Sequence, residues 1–400
     1  MPVVNLPLQI YVYALLVLPC IFSSALIMPD FFSPFRVPLY LISVVAVIPL
    51  LYKTPTQTAK AVTLMVSLLL FAAMLSGLWV DERQFLANLR QWMFYSITFM
   101  CGIVGIVVAR ITTSPNRFAE QLLILFSLLF LYGIYTYFAQ MFELPELLYM
   151  LRPNPGLPTG HLYSQSYSGW GSAMRAYSVW FEPTITSLVL ACALPLLYFQ
   201  VNWRIKLYFT LITIPYVYLT FSRSAWLVGL LFFFGHLLGL FKLKLSRVGL
   251  FTMAILISMV FVLLQLFAIG NHHESSALGR IMSVAMAMHE WLDSPLFGTG
   301  SGELINPVPL LHATHKFKSI SASIPMMLHW YGLIGLLITL IPYWYLACNG
   351  SGAKNKVATS FIYLSSVAIT VGGPLMMLSI FWFFWGFYMS TPQVKHADVT

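Results

Sequence analysis

Apolar stretches of about 17–24 residues recur along this chain, near 8–28, 37–52, 61–80, 92–109, 121–142, 184–200, 205–221, 225–241, 248–269, 324–346, 356–372 and 374–390. A hydrocarbon layer about 30 Å thick needs about 20 apolar residues per crossing helix, so each stretch reads as a membrane span. Strict alternation of apolar and polar residues is missing, which sets membrane β-strands aside in favour of helices. Composition agrees: hydrophobic residues make up 59% and charged residues 8% of the chain, where a soluble domain carries about 25% charged residues. The expected fold is all-α and integral to a membrane: a single polytopic domain over residues 1–400, a bundle of about 12 transmembrane helices. The run from Leu8 to Met28 exceeds a signal-peptide core and reads as the first span. The last two spans, parted only by Gly372, Gly373 and Pro374, can also be read as one broken helix pair.

The net charge of +9 is scattered in small groups between apolar runs, the pattern of membrane topology rather than of nucleic-acid binding. With the N-terminus in the cytoplasm, the inner connections hold Lys53, Lys60, Arg110, Arg117, Arg204, Lys206, Lys242, Lys244, Arg247, Lys354, Lys356 and Lys395 against only Glu120 and Asp398. This excess fixes the orientation by the positive-inside rule and leaves both termini inside. Two outer segments, 143–183 and 270–323, exceed simple turns and carry Trp, Tyr, Met and Leu, so both are expected to be folded. The inner side has no room for a nucleotide-binding domain. Any chemistry belongs to the outer face and is not driven directly by ATP. Cys20, Cys101, Cys192 and Cys348 all lie in apolar runs, which argues against a disulfide framework or a cysteine metal site.

Three groups of residues have chemical potential. Arg223, in Phe221-Ser222-Arg223-Ser224-Ala225-Trp226, stands between two spans almost without a connecting loop. Its guanidinium offers a fixed fork of donors to phosphate oxygens, or snorkels to lipid headgroups. Arg280 opens a helix expected near 280–292, with apolar residues at 281, 284, 285, 288, 291 and 292 and with Arg280, Ser283 and Glu290 toward the other side. That helix ends at Asp293-Ser294-Pro295. The glycine-rich run after it, Gly298-Thr299-Gly300-Ser301-Gly302, has neither a preceding strand nor a Walker lysine. A tight turn that lets the backbone approach a ligand or a helix is the better reading. Arg175 and Glu182-Pro183 close the first long segment. Pro183 and Glu182 suit a helix start, and Arg175 with Glu182 can equally line an outer cavity. His236 and His329 fall within spans and read as packing or hydrogen-bonded residues. His312 and His315 resemble spaced metal ligands but lack a third ligand at metal-site spacing, so no metal is expected. An imidazole there can instead deprotonate a hydroxyl nucleophile.

The ordered set of motifs resembles the O-antigen ligase and polymerase superfamily of membrane glycosyltransferases. Phe221-Ser222-Arg223-Ser224-Ala225 resembles its Ser-Arg motif between two helices. Leu278-Gly279-Arg280 with Ser294-Pro295-Leu296-Phe297-Gly298-Thr299-Gly300 resembles its loop helix and Pro-x-x-Gly-x-Gly turn. Tyr331-Gly332-Leu333-Ile334-Gly335 resembles the glycine pair of the following span, and Arg175 to Pro183 the Arg...Glu-Pro element of the polysaccharide polymerases. The resemblance covers about 175–340. Where the family has a His-Asn pair, about eleven residues before the first glycine of that span, this chain has Ser321-Ala322. His315 and His312 stand six and nine residues earlier.

The resemblance implies a GT-C-like, inner-membrane polysaccharide polymerase with a periplasmic active site and no cofactor. Its donor is a glycan on undecaprenyl pyrophosphate and its acceptor a hydroxyl of another lipid-linked repeat unit. A chain-length regulator and a flippase of the same pathway are the implied partners, beside membrane lipids. In this reading Arg223 and Arg280 hold the pyrophosphate, Arg175 assists, Glu182 positions it or contacts sugar, and His312 or His315 activates the acceptor. Direct displacement inverts the anomeric centre. A ligase acting on lipid A core shares this chemistry. A transporter or flippase instead predicts ionisable residues along a path through the spans.

Overall fold

The computed structural model describes residues 12–18, 42, 45–46, 48, 100–112, 114–142, 144, 176, 178, 185–239, 256, 287–299, 327–337, 356–371 and 379–390. Among them there is no strand. The principal helices are α1 (Met100–Ile111), α2 (Pro115–Met141), α3 (Thr186–Ala193), α4 (Trp203–Leu219), α5 (Arg223–Leu237), α6 (Met327–Leu337), α7 (Lys356–Val371) and α8 (Ser379–Ser390). Each falls on an expected span. Val12–Val17 is helical within the first. The spans expected near 37–52, 61–80 and 248–269 lie, apart from isolated residues, outside the described residues.

The α2 helix starts at Pro115, earlier than the apolar run near 121–142 implies. Proline lacks the N–H that a first helical turn leaves unpaired, so it starts the helix ahead of the apolar residues. Among the described residues, only Pro115–Ala139 is long and apolar enough to cross a membrane by length and composition. Ile124, Leu128, Leu131, Tyr135 and Phe138 form an exposed stripe along α2, while Leu122, Leu123, Phe126 and Phe130 are buried. Exposed apolar residues recur on α4 (Leu207, Leu211, Ile214, Tyr218) and α5 (Leu230, Phe233, Phe234, Leu237). Water does not favour three such stripes; a hydrocarbon layer does.

The core gathers around α8, whose Phe381, Trp382, Phe383, Phe384, Trp385, Phe387 and Tyr388 are all buried. Helix α3 is buried along its whole length and packs against α5, α7 and α8. The Tyr388 hydroxyl donates to the Cys192 carbonyl, tying α8 to α3. Helices α2 and α4 pack through Phe130 stacked on Tyr216, with ring centroids 4.7 Å apart. Glycine permits the closest crossing: a Cβ on Gly386 would meet the backbone of Gly102 and Ile106, and one on Gly105 the backbone of Phe383 and Phe387. Small residues of this kind bring helix backbones into contact where lipid supplies no hydrophobic drive.

These contacts predict opposite signs for two alanine substitutions. Gly105→Ala forces α1 from α8 and is expected to lose about 1–3 kcal/mol, the range for overpacking. Gly229→Ala, where an added Cβ meets nothing within 4 Å, is expected to gain about 0.5–1 kcal/mol from helix propensity. Thermal unfolding of the detergent-solubilised variants measures both.

Candidate functional site

Arg223 opens α5 immediately after a link of three residues, Thr220, Phe221 and Ser222. Phe221 has φ 47°, a left-handed conformation that reverses the chain at once and is uncommon outside glycine. The reversal frees the Val217 carbonyl, which accepts from the Thr220 hydroxyl at 2.7 Å and the Trp226 indole N–H at 2.9 Å. Ser222 caps α5 by accepting from the Ala225 N–H at 3.4 Å, and its hydroxyl lies 3.1 Å from that of Ser224. Tyr218 stacks on Trp226 across the link, with an interplanar angle of 6°. Ala176 and Ser178, near the end of the first long connecting segment, are bonded to the end of α4 and to α2. The Ala176 N–H donates to the Leu219 carbonyl at 2.8 Å, and the Ser178 hydroxyl donates to the Leu129 carbonyl of α2 at 2.6 Å.

A cation in the first turn of a helix opposes the helix dipole and is unfavourable by roughly 0.3–1 kcal/mol. Helix stability therefore does not account for Arg223. With the N–H groups of the first turn, its guanidinium builds a local field that favours an anion. Arg204 stands at the opposite end of α4, so the two arginines are separated by the length of that helix, 17 residues or about 25 Å at 1.5 Å per residue.

A second constellation joins the Pro-x-x-Gly-x-Gly turn to α6. Gly298 and Gly332 have φ values of 74° and 65°. A Cβ on Gly298 would lie 2.5 Å from the Trp330 carbonyl carbon and 2.6 Å from the Gly332 nitrogen, and one on Gly332 would meet the backbone of Leu296 and Phe297. The turn is spliced into the hydrogen bonding of the helix. Leu333 and Ile334 donate their N–H groups to the carbonyls of Pro295 (2.9 Å) and Leu296 (3.2 Å), while the His329 carbonyl accepts from the Thr299 N–H at 2.7 Å. The start of the glycine-rich run, Gly298-Thr299, thus approaches a helix, one of the two partners its sequence allows.

Residues 287–293 are helical, as expected, but the face they bury differs from the apolar pattern. Ala287 is buried and Leu292 is exposed, and Glu290 turns inward. The reason is a partner: Glu290 Oε2 lies 2.7 Å from His329 Nε2, with the side chains 18% and 3% exposed. The oxygen sits off the ring N–H axis, so this contact is electrostatic rather than an aligned hydrogen bond. On the other side of the ring, Nδ1 lies 2.7 Å from the Thr299 hydroxyl oxygen. A carboxylate beside Nε2 calls for the ring proton there, which leaves Nδ1 to accept from Thr299. That hydroxyl also lies 3.2 Å from the His329 carbonyl, but the nitrogen is nearer.

Of the residues singled out in the sequence, the structure places Arg223. Arg175, Glu182, Arg280, His312 and His315 lie outside the described residues. His236 is hydrogen-bonded as expected, its Nδ1 3.1 Å from the Tyr198 hydroxyl. The Glu290–His329–Thr299 arrangement was not foreseen as a unit. Its signals were a carboxylate in a largely apolar helix and a histidine three residues before Gly332. Among the described residues, no group of three or more His, Cys, Asp or Glu side chains can hold a metal. No known protein family, curated protein or solved structure matches the chain.

The splice predicts that Gly298→Ala and Gly332→Ala each lose more stability than Gly229→Ala gains. A left-handed non-glycine residue alone costs of order 1–3 kcal/mol, and the backbone clash adds to it. Limited proteolysis is expected to cut faster near 294–299 in both variants than in the parent.

Proposed function

We propose that the chain is a polysaccharide polymerase of the bacterial inner membrane. It transfers a glycan from undecaprenyl pyrophosphate to a hydroxyl of another lipid-linked repeat unit at the periplasmic face. The observation that carries this reading is Arg223 at the start of α5, directly after a three-residue link between apolar helices, with Ala176 of a long connecting segment bonded to Leu219 just before that link. The motif resemblance supplies the substrate class. In this reading the link sits at the outer interface, with Arg204 toward the cytoplasm.

Lipid pyrophosphate is already a good leaving group, and what remains is the charge that develops as its bond to the anomeric carbon breaks. Arginines aimed at that charge lower the barrier. Arg223 and Arg280 share the two phosphates in this proposal, since one guanidinium cannot neutralise both. Arg175 assists in this proposal, and Glu182 positions it or contacts sugar. The acceptor oxygen attacks from the face opposite the pyrophosphate, so the product is inverted.

Arg223→Lys is expected to lower the polymerisation rate about a hundredfold or more, because lysine cannot reproduce the bidentate fork and the lost contact is worth about 2–4 kcal/mol. Arg110→Lys, on the cytoplasmic side, is the control and stays near wild type. Chain extension by purified protein given lipid-linked repeat units reads both, and a fully active Arg223→Lys overturns the assignment. The same assay in excess EDTA is expected to retain its rate; strict dependence on added Mg²⁺ or Mn²⁺ would refute the arginine-only site.

A further inference from the structure

Three side chains from three separate stretches meet at the spliced turn: Glu290 from the helix at 287–293, Thr299 from the turn and His329 from α6. A buried imidazole with a carboxylate on one nitrogen and a hydroxyl on the other is more than a staple needs. The main-chain bonds from Leu333, Ile334 and Thr299 already hold the turn to the helix. We propose that Glu290, His329 and Thr299 form a proton relay that serves the acceptor hydroxyl, with Thr299 as the group facing substrate.

This inference rests on the glycosyl-transfer reading and deepens it by replacing His312 and His315 as the base. Thr299 is the only one of the three that lies in the glycine-rich turn. It is partly buried, whereas His329 is enclosed. The imidazole therefore reaches substrate through the Thr299 hydroxyl.

The step balances as follows. The acceptor oxygen forms its bond to the anomeric carbon as the bond from that carbon to the pyrophosphate oxygen breaks, and the bonding pair leaves with the pyrophosphate. The acceptor proton passes to Thr299 Oγ1 as the proton of Thr299 passes to His329 Nδ1. The resulting imidazolium lies beside the Glu290 carboxylate, whose Oε2 is 2.7 Å from Nε2, and the opposite charge offsets part of the cost of the buried cation without Glu290 taking the proton. The proton later leaves His329 Nδ1 by the reverse path, through the Thr299 hydroxyl. Thr299 is a catalytic residue in this scheme, His329 the proton acceptor and Glu290 a positioning residue.

The test uses full-length protein in detergent with undecaprenyl-pyrophosphate-linked oligosaccharide extracted from the host membrane, and reads release of undecaprenyl pyrophosphate. His329→Gln keeps a hydrogen-bonding partner for Thr299 but cannot accept a proton. Its kcat is expected to fall about a hundredfold or more, the range of general-base catalysis, with KM and melting temperature near wild type. Thr299→Ser is expected to stay within severalfold of wild type, while Thr299→Val falls with His329→Gln. If His329→Gln does not insert, Glu290→Gln decides on the same readout: a kcat about tenfold lower at constant KM supports the relay, and an unchanged kcat overturns it. An active wild type matched by His329→Gln overturns the relay alone. A wild type that releases no undecaprenyl pyrophosphate overturns the functional reading itself.

Discussion

A backbone N–H or carbonyl left without a partner in an apolar surrounding costs several kcal/mol, and this single penalty governs how the chain can interrupt its helices. Two interruptions among the described residues are answered by named partners. Where α4 stops, the freed Val217 carbonyl is taken by Thr220 and Trp226. Where α6 departs from helical geometry at Gly332, Leu333 and Ile334 turn to the carbonyls of Pro295 and Leu296. The polar groups at these places are thus settled by geometry before any ligand arrives. Both interruptions also hold the residues with chemical potential, Arg223 at one and the Glu290–His329–Thr299 set at the other.

In the proposed transfer from a lipid pyrophosphate, the two places have different tasks. One offers positive charge where a leaving group accumulates negative charge. The other offers a base and a hydroxyl where a nucleophile sheds a proton. Helix α5 packs on α3 and α7 of a frame that also includes α1 and α8, filled by aromatic residues and crossed at glycines. Such a frame fixes distances well, and transfer chemistry depends on near-attack placement more than on strong functional groups.

The helices were legible because apolar run length is a one-dimensional property: α2 through α8 fall where the runs lie. The left edge of α2 was misjudged because Arg117 and Glu120 are polar, although Pro115 marks the start. Arg223 was legible because an arginine between two apolar runs has few places to go. The inward turn of Glu290 was not legible. Helical periodicity assigns a carboxylate to the solvent side unless its partner is known, and that partner, His329, is 39 residues away in sequence. The glycine turn was half legible, since its residues announce close approach but do not name the helix approached.

The brevity of the link between α4 and α5 constrains how this chain can diverge. An α-helix turns 100° per residue, so an insertion or deletion of one residue within the first turn of α5 swings everything after it by more than a quarter of a circle. A longer connection absorbs such a change in slack. Here Phe221 is already in a left-handed conformation, Ser222 is tied to Ala225, and Leu219 is tied to Ala176, so there is no slack to use. Related chains can vary freely in side chain along these two helices and in the length of their long connecting segments, but the spacing from Leu219 to Trp226 is expected to stay fixed to the residue.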